Sequence, residues 1–260
     1  FYNCTNLVTL GLGDGLTSIG QYAFYNCKKL NSLRVSNNVQ TVGNYAFNGC
    51  TSLGGVVIGE SVTALGDYAF NGCTSLVTVN IGSSIKEIGN YTFLGCTSLE
   101  NVLLKGEINS LGTGSFKNCS ALTGIDISTA TVIGAESFYG CVRLNYVNIG
   151  NVSDLGASAF YNCRSLTTVE IPATLTTIGE YSFYNCASLE NVVLNEGLLT
   201  IGEHAFENCA KIKGIELPNS LSNVGNSVFK NSGLTSAYLG EGVTLIGTDM
   251  FYGCKSLKEV

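Results

Sequence analysis

The sequence predicts a solenoid: about eleven coils of 22–23 residues stacked as a single domain over residues 1–260, an α/β-type repeat with one short parallel strand and one 3₁₀ or short helical turn per coil. Three observations predict it. The twelve phenylalanines, Phe1, Phe24, Phe47, Phe70, Phe93, Phe116, Phe138, Phe160, Phe183, Phe206, Phe229 and Phe251, recur at steps of 22 or 23. All eleven cysteines stand three residues after a phenylalanine, and only Phe229 lacks its partner, with Ser232 in the slot. A glycine follows the same aliphatic position in every copy, from Gly20 to Gly247. A fixed period of this length marks a repeat architecture.

Written from its cysteine, the unit is C-x2-L-x2-V-x-I-x3-[LV]-x2-I-G-x2-A-F-x2-C, and its clearest copy runs from Cys73 to Cys96. Val79 and Ile81 alternate as in a half-buried strand. Ile85 and Ile88 follow at wider spacing, after the turn Gly82-Ser83-Ser84. Gly89 and its equivalents imply either a positive φ or a tight backbone approach. The segment around each A-F-x-x-C is too short for an α-helix, which predicts one helical turn there. A single coil cannot enclose its apolar side chains, so stability comes from the interfaces between coils. Parallel strands at about 4.8 Å per coil then give ladders of identical side chains.

Three coils depart from the pattern. Cys119 to Cys141 and Cys141 to Cys163 are 22 residues apart, each having lost one residue between its strand and the next core position (Ile127 to Ile133, Ile149 to Leu155). A third deletion falls between Ser232 and Leu239. Irregular coils are therefore expected at 127–155 and 230–237.

Composition removes several function classes. Charged residues make up 12% and hydrophobic residues 45%, which is the profile of a folded chain rather than a disordered one. The net charge of −6 disfavours nucleic acid, whose phosphates need a basic face. No apolar run is long enough for a membrane helix. The first residues, FYNCTNL, do not read as a signal peptide. The sequence begins inside a repeat at Phe1 and stops on a strand at Val260, which predicts a fragment of a longer chain with uncapped, self-associating ends.

The motif I-G-x-x-A-F-x-x-C-x-x-L-x-x-V-x-I closely resembles the BspA-like leucine-rich repeats, also called the treponemal type, and does so over the whole chain. That family places proline after the strand. Here only Pro172 and Pro218 stand there, and most copies carry glycine, as at Gly59, Gly82 and Gly150. The resemblance implies a curved right-handed leucine-rich-repeat solenoid, secreted or displayed on the cell surface and used for adhesion or recognition of host or neighbouring-cell proteins. It implies no catalytic residues.

No constellation for catalysis, metal or cofactor is evident. The cysteines would sit in one ladder with Cβ atoms about 5 Å apart and parallel, whereas a disulfide needs about 3.8 Å and crossing geometry, so they read as free packing thiols. There is no C-x-x-C for a metal. His204, the only histidine, shares a register with Tyr22, Tyr45, Tyr68, Tyr91 and Tyr181 and reads as a surface replacement. Gly11-Leu12-Gly13-Asp14-Gly15 lacks the long helix a phosphate loop requires. Four N-x-S/T sequons begin at Asn3, Asn90, Asn118 and Asn151; Asn3 and Asn118 precede ladder cysteines, which predicts poor access.

The candidate site is the face that the repeat leaves free. Between the inward pair of each V-x-I strand, one residue points outward. This position varies along the array, while its inward neighbours barely change. The candidate ligand-binding residues are Arg34, Asn80, Asp126, Asn148, Glu170, Glu216 and Tyr238, with Tyr146 in the outward position two residues earlier. Their charge favours a basic or polar protein partner. A non-enzymatic protein-binding module is expected, and a structural spacer presenting other domains is the alternative.

Overall fold

The computed structural model describes all 260 residues. Twenty strands alternate between two faces of a parallel solenoid, numbered β1 to β20 in chain order. One face carries the V-x-I strands. They are β2 (Ser32–Arg34), β4 (Gly55–Val57), β6 (Thr78–Ile81), β8 (Asn101–Leu104) and β10 (Gly124–Asp126). The series continues with β12 (Tyr146–Asn148), β14 (Thr168–Ile171), β16 (Asn191–Leu194), β18 (Gly214–Glu216) and β20 (Ser236–Tyr238). The other face carries two-residue strands that end on the aliphatic residue before each glycine. They are β1 (Ser18–Ile19), β3 (Thr41–Val42), β5 (Ala64–Leu65), β7 (Glu87–Ile88) and β9 (Ser110–Leu111), then β11 (Val132–Ile133), β13 (Asp154–Leu155), β15 (Thr177–Ile178), β17 (Thr200–Ile201) and β19 (Asn223–Val224). This second series is additional to the one strand per coil that the hydrophobic alternation indicates.

The two faces differ in continuity. The short strands form one unbroken ten-stranded sheet, β1 through β19. The V-x-I strands form four separate sheets: β2-β4-β6-β8, β10-β12, β14-β16 and β18-β20. The sheet β10-β12 consists of the strands of the two 22-residue coils, and both of its edges are unpaired. A shortened turn between strand and short strand cannot keep both ladders in register against a full-length neighbour. The short-strand ladder holds, as in Val132↔Ser110 and Leu155↔Ile178, and the V-x-I ladder separates. Asp126 and Asn148 close the two shortened turns by accepting from the backbone N–H of Ser128 at 3.0 Å and of Gly150 at 3.2 Å, the usual device of Asx turns. The expected irregularity at 127–155 thus extends to the sheet pairing on either side. At 230–237 the deletion lies between Ser232 and Leu234, and β20 stays in register with β18. Gly233 makes this fit possible, since a Cβ there would lie 2.0 Å from the Ala210 carbonyl oxygen.

The third stretch of each coil, around A-F-x-x-C, is not helical. Its N–H groups alternate between their own coil and the next. Ala46, Asn48 and Cys50 donate to Gly43, Tyr45 and Phe47 three residues back, while Tyr45, Phe47 and Gly49 donate to Asp67, Ala69 and Asn71 in the following coil. Left-handed backbone at Tyr45 (φ 57°) and Gly49 (φ 73°) swings alternate peptide planes along the solenoid axis, which breaks any helical run. The residue before every ladder cysteine is asparagine or glycine, the two residue types that best tolerate this conformation. The glycine after each aliphatic position has the other role: a Cβ on Gly66 would lie 2.4 Å from the Asn44 backbone nitrogen.

One core of 69 buried residues runs the length of the molecule. Phenylalanine rings stack along it with centroids between 5.1 Å (Phe24–Phe47) and 5.9 Å (Phe229–Phe251). Ten of the eleven cysteines donate their thiol to the phenylalanine carbonyl of the preceding coil, as Cys50 does to Phe24 at 3.2 Å, and all eleven are free thiols. Burial is the largest influence on the inner thiols; it pushes those of Cys50, Cys96, Cys141 and Cys209 up to about 12.

Candidate binding face

The outward residues of the V-x-I face are set by strand alternation: Val169 and Ile171 go inward and Thr168 and Glu170 outward, giving an exposed–buried–exposed–buried sequence. The face falls into an N-terminal sheet and a seamed C-terminal part, and the candidate residues divide accordingly. Arg34 and Asn80 line a shallow cleft of about 400 Å³ on the intact β2-β4-β6-β8 sheet. Arg34 is exposed, whereas the Asn80 side-chain oxygen is buried without a hydrogen-bond partner.

Two further clefts lie at seams. At the β12/β14 seam, Tyr146, Asn148, Thr168, Glu170 and Pro172 surround a cleft of about 420 Å³. At the β16/β18 seam, a cleft of about 650 Å³ takes in Val192, Val193, Leu194, Glu216, Tyr238 and Glu259. Each seam cleft therefore places one exposed tyrosine beside exposed carboxylate: Tyr146 with Glu170 at one, and Tyr238 with Glu216 and Glu259 at the other. Neither Glu170 nor Glu216 takes part in an ion pair or a side-chain hydrogen bond. The ion pairs, Lys105–Glu60, Lys117–Glu136, His204–Glu207 and Lys211–Glu190, lie off these clefts. Asp126 stands at the β8/β10 seam, outside these clefts. The Ser128 backbone N–H, with smaller help from the Ser128 hydroxyl and Asn148, holds its carboxyl below the usual range, so it stays ionised as a turn cap.

Two apolar strands at seam edges are further features of this face. In β8 and β16 the inward pairs Val102/Leu104 and Val192/Leu194 are only half-buried, and the central residues Leu103 and Val193 are 55% and 46% exposed. The signal is in the sequence, since NVLL and NVVL lack the polar central residue of most other strands.

The tyrosine rows lie on the A-F-x-x-C side. Tyr45, Tyr68 and Tyr91 stack at 4.8–4.9 Å, and Tyr139, Tyr161 and Tyr184 at 4.5–4.7 Å. Stacking consumes the ring faces, so these rows offer edges and hydroxyls to solvent and no flat platform. His204 continues the row by stacking on Tyr181 at 4.6 Å and is held by the Glu207 carboxylate through Nδ1. Asn3 and Asn118 are exposed, contrary to the expectation of poor access, because left-handed backbone turns them away from the core beside their cysteines. No group of three or more histidine, cysteine or acidic side chains converges to hold a metal ion, and no helix is long and apolar enough to cross a membrane.

A solenoid whose inward positions are fixed and whose one sheet face varies freely is the architecture of a leucine-rich-repeat protein. The BspA type leucine-rich repeat region matches in six copies over residues 1–63, 53–164 and 153–260, and the chain belongs to that family. None of the curated proteins matches it. Among solved structures, a leucine-rich repeat protein of Bacteroides ovatus is similar at 24% identity and TM-score 0.54, over 94% of this chain and 81% of that one. A leucine-rich cell surface protein of Faecalibacterium prausnitzii shares 22% identity at TM-score 0.51, over 94% and 82% of the two chains. The pneumococcal vaccine antigen PcpA shares 18% identity at TM-score 0.55, over 94% and 72%. These likenesses are of fold.

Proposed function

We propose that this chain is a non-enzymatic protein-recognition module of a secreted or surface-displayed protein and that it binds its partner through the V-x-I face. The observation that carries the reading is the contrast within each strand. In β14 and β18 the inward residues Val169, Ile171 and Ile215 are aliphatic and buried, while the outward Glu170 and Glu216 are charged, exposed and unpaired. Packing explains the first set and leaves the second free to serve a partner. The surface setting of the F. prausnitzii protein, described as a cell surface protein, supports the same reading.

The test is a panel of extracellular-matrix and cell-surface proteins presented to the chain and to its Tyr146→Ala and Glu170→Lys variants. A partner that binds the parent chain and loses affinity by about tenfold or more in either variant, with circular dichroism unchanged, supports the reading. Binding that survives both variants moves the site off this face. Absence of any partner favours a spacer that holds other domains apart.

A further inference from the structure

We propose that the seamed C-terminal half of the V-x-I face is a docking surface for an extended polyproline-II peptide carrying a lysine or arginine at every third residue. The proposal rests on the reading of this face as the recognition surface and adds the chemistry and the repeat of the partner.

Charge and spacing carry it. Glu170 and Glu216 occupy the same register two coils apart, on β14 and β18, and each is the first strand after a seam. The β16/β18 seam between them is not hydrogen-bonded, so the stacking of coils sets their interval, and at about 4.8 Å per coil two coils span about 10 Å along the solenoid axis. The phenylalanine ladder beneath them, with ring spacings of 5.2 Å from Phe160 to Phe183 and from Phe183 to Phe206, sets the same interval. A polyproline-II chain repeats every third residue at about 9.3 Å, so its residues i and i+3 face one side at the spacing of the two carboxylates. A β-strand peptide lying along the axis offers about 6.6 Å or 13 Å between residues on one side and matches neither. Both carboxylates are free of protein partners, which leaves them able to pair with a cation. The exposed rings of Tyr146 and Tyr238 beside them supply surfaces for proline rings and for cation–π contact with the same side chains.

The β12/β14 seam adds a backbone donor. The Ile127 N–H donates to the Asn148 carbonyl across the intact β10-β12 pair, but its equivalent Ile149 N–H, at the β12/β14 seam, makes no hydrogen bond. Ile149 lines the cleft although its side chain is buried, so it presents backbone there. A polyproline-II chain has unused carbonyls to offer such a donor. A helix, whose lysines seven residues apart also repeat at about 10 Å, has its carbonyls engaged internally.

Fluorescence anisotropy with a labelled peptide repeating Pro-Pro-Lys four times tests the proposal. The controls are an isomer with its lysines in one block, a helical peptide with lysine at every seventh residue, and a Pro-Pro-Glu analogue. The periodic peptide should bind at least about tenfold more tightly than either lysine control, and the glutamate analogue should not bind. Glu170→Gln and Glu216→Gln should each weaken it by about fivefold, whereas Arg34→Gln, on the intact sheet, should not. Equal binding of the blocked isomer, tighter binding of the helical peptide, indifference to the double Gln variant, or no peptide binding overturns the proposal. If the protein panel yields a partner sensitive to Tyr146→Ala while the peptide fails, only this proposal falls. If both fail, the recognition face falls with it.

Discussion

The thiol of Cys96 donates to the carbonyl oxygen of Phe70 in the preceding coil at 3.2 Å, and that oxygen also accepts from the Cys73 backbone N–H at 3.2 Å. Cysteine in this ladder is thus a small buried hydrophobe that also donates a weak hydrogen bond to a core carbonyl. Its chemistry is consequently muted. In the native protein only Cys4 is exposed, and Cys254 is partly so. A thiol titration of the folded chain should show Cys4 reacting at once, Cys254 more slowly, and the other nine only on denaturation, for a total of eleven. Fewer than about eight reactive thiols in the unfolded, unreduced chain would mean disulfides that this ladder geometry forbids.

Raising the pH should unfold the protein cooperatively. Burial first, then neighbouring thiols, lifts Cys73, Cys119, Cys163 and Cys186 well above the ordinary 9.0. The other four fully enclosed thiols, Cys50, Cys96, Cys141 and Cys209, reach about 12. The folded pKa lies above the unfolded one, so the stabilisation is complete below about pH 9, where both states carry the proton. Above that pH the unfolded chain ionises and the folded chain does not, costing about 1.4 kcal/mol per pH unit for each thiol until the folded value is reached. Circular dichroism followed from about pH 8 to 11 should show a steep loss of structure. Replacing Cys96, Cys119, Cys141 and Cys163 together by alanine should flatten that transition. An unchanged profile would move its cause elsewhere, to the tyrosines for example.

Phe116→Ala should cost about 3–5 kcal/mol, measured by urea denaturation, because it opens a cavity between rings stacked at 5.3 and 5.5 Å on its two sides. In a solenoid the loss is felt at two interfaces, so the transition should also broaden or split as the two halves uncouple. A cost under about 1 kcal/mol is incompatible with a fully buried ring.

Much of this architecture is legible in the sequence, and the parts that are not have a common cause. Residues such as Val79 and Ile81, Phe93 and Cys96 declare the coil because they are repeated side chains in one packing environment. The short coils declare their own irregularity through the missing residue before Ala130 and Val152. The short strands, such as Glu87–Ile88, leave no periodicity because two residues are too few to alternate. Their pairing is imposed by the stacking of whole coils. Tyr45 in a left-handed conformation is invisible for a related reason: tyrosine has no preference for it, and the demand comes from the hydrogen bond to Asp67 in the next coil. The seam clefts are hidden further still. Loss of the Ile149 hydrogen bond follows from the shortened turn of its own coil meeting a full-length coil on the next level. The outward residues themselves are readable as a set, but which of them share a cleft is decided by those seams.

The glycines separate two kinds of constraint that look alike in the sequence. Gly66 has an ordinary backbone conformation but sits against the preceding coil, where a Cβ would lie 2.4 Å from the Asn44 nitrogen and 2.6 Å from the Gly43 carbonyl carbon. Both neighbours are backbone directly after β3, held in place by the ten-stranded sheet on one side and the turn hydrogen bonds on the other, so neither can yield without loosening the ladder. Gly66→Ala should therefore destabilise by about 1–3 kcal/mol or more, as overpacking does. Gly55 lies on the V-x-I face with nothing within 4 Å of its Cβ position. Gly55→Ala should be neutral or stabilising by about 0.5 kcal/mol, because it only restricts the unfolded chain. Thermal melts of the two variants side by side provide the measurement. Equal melting temperatures would show that the coils can spread to admit a methyl group, and the close backbone approach would then not be what holds glycine at this register.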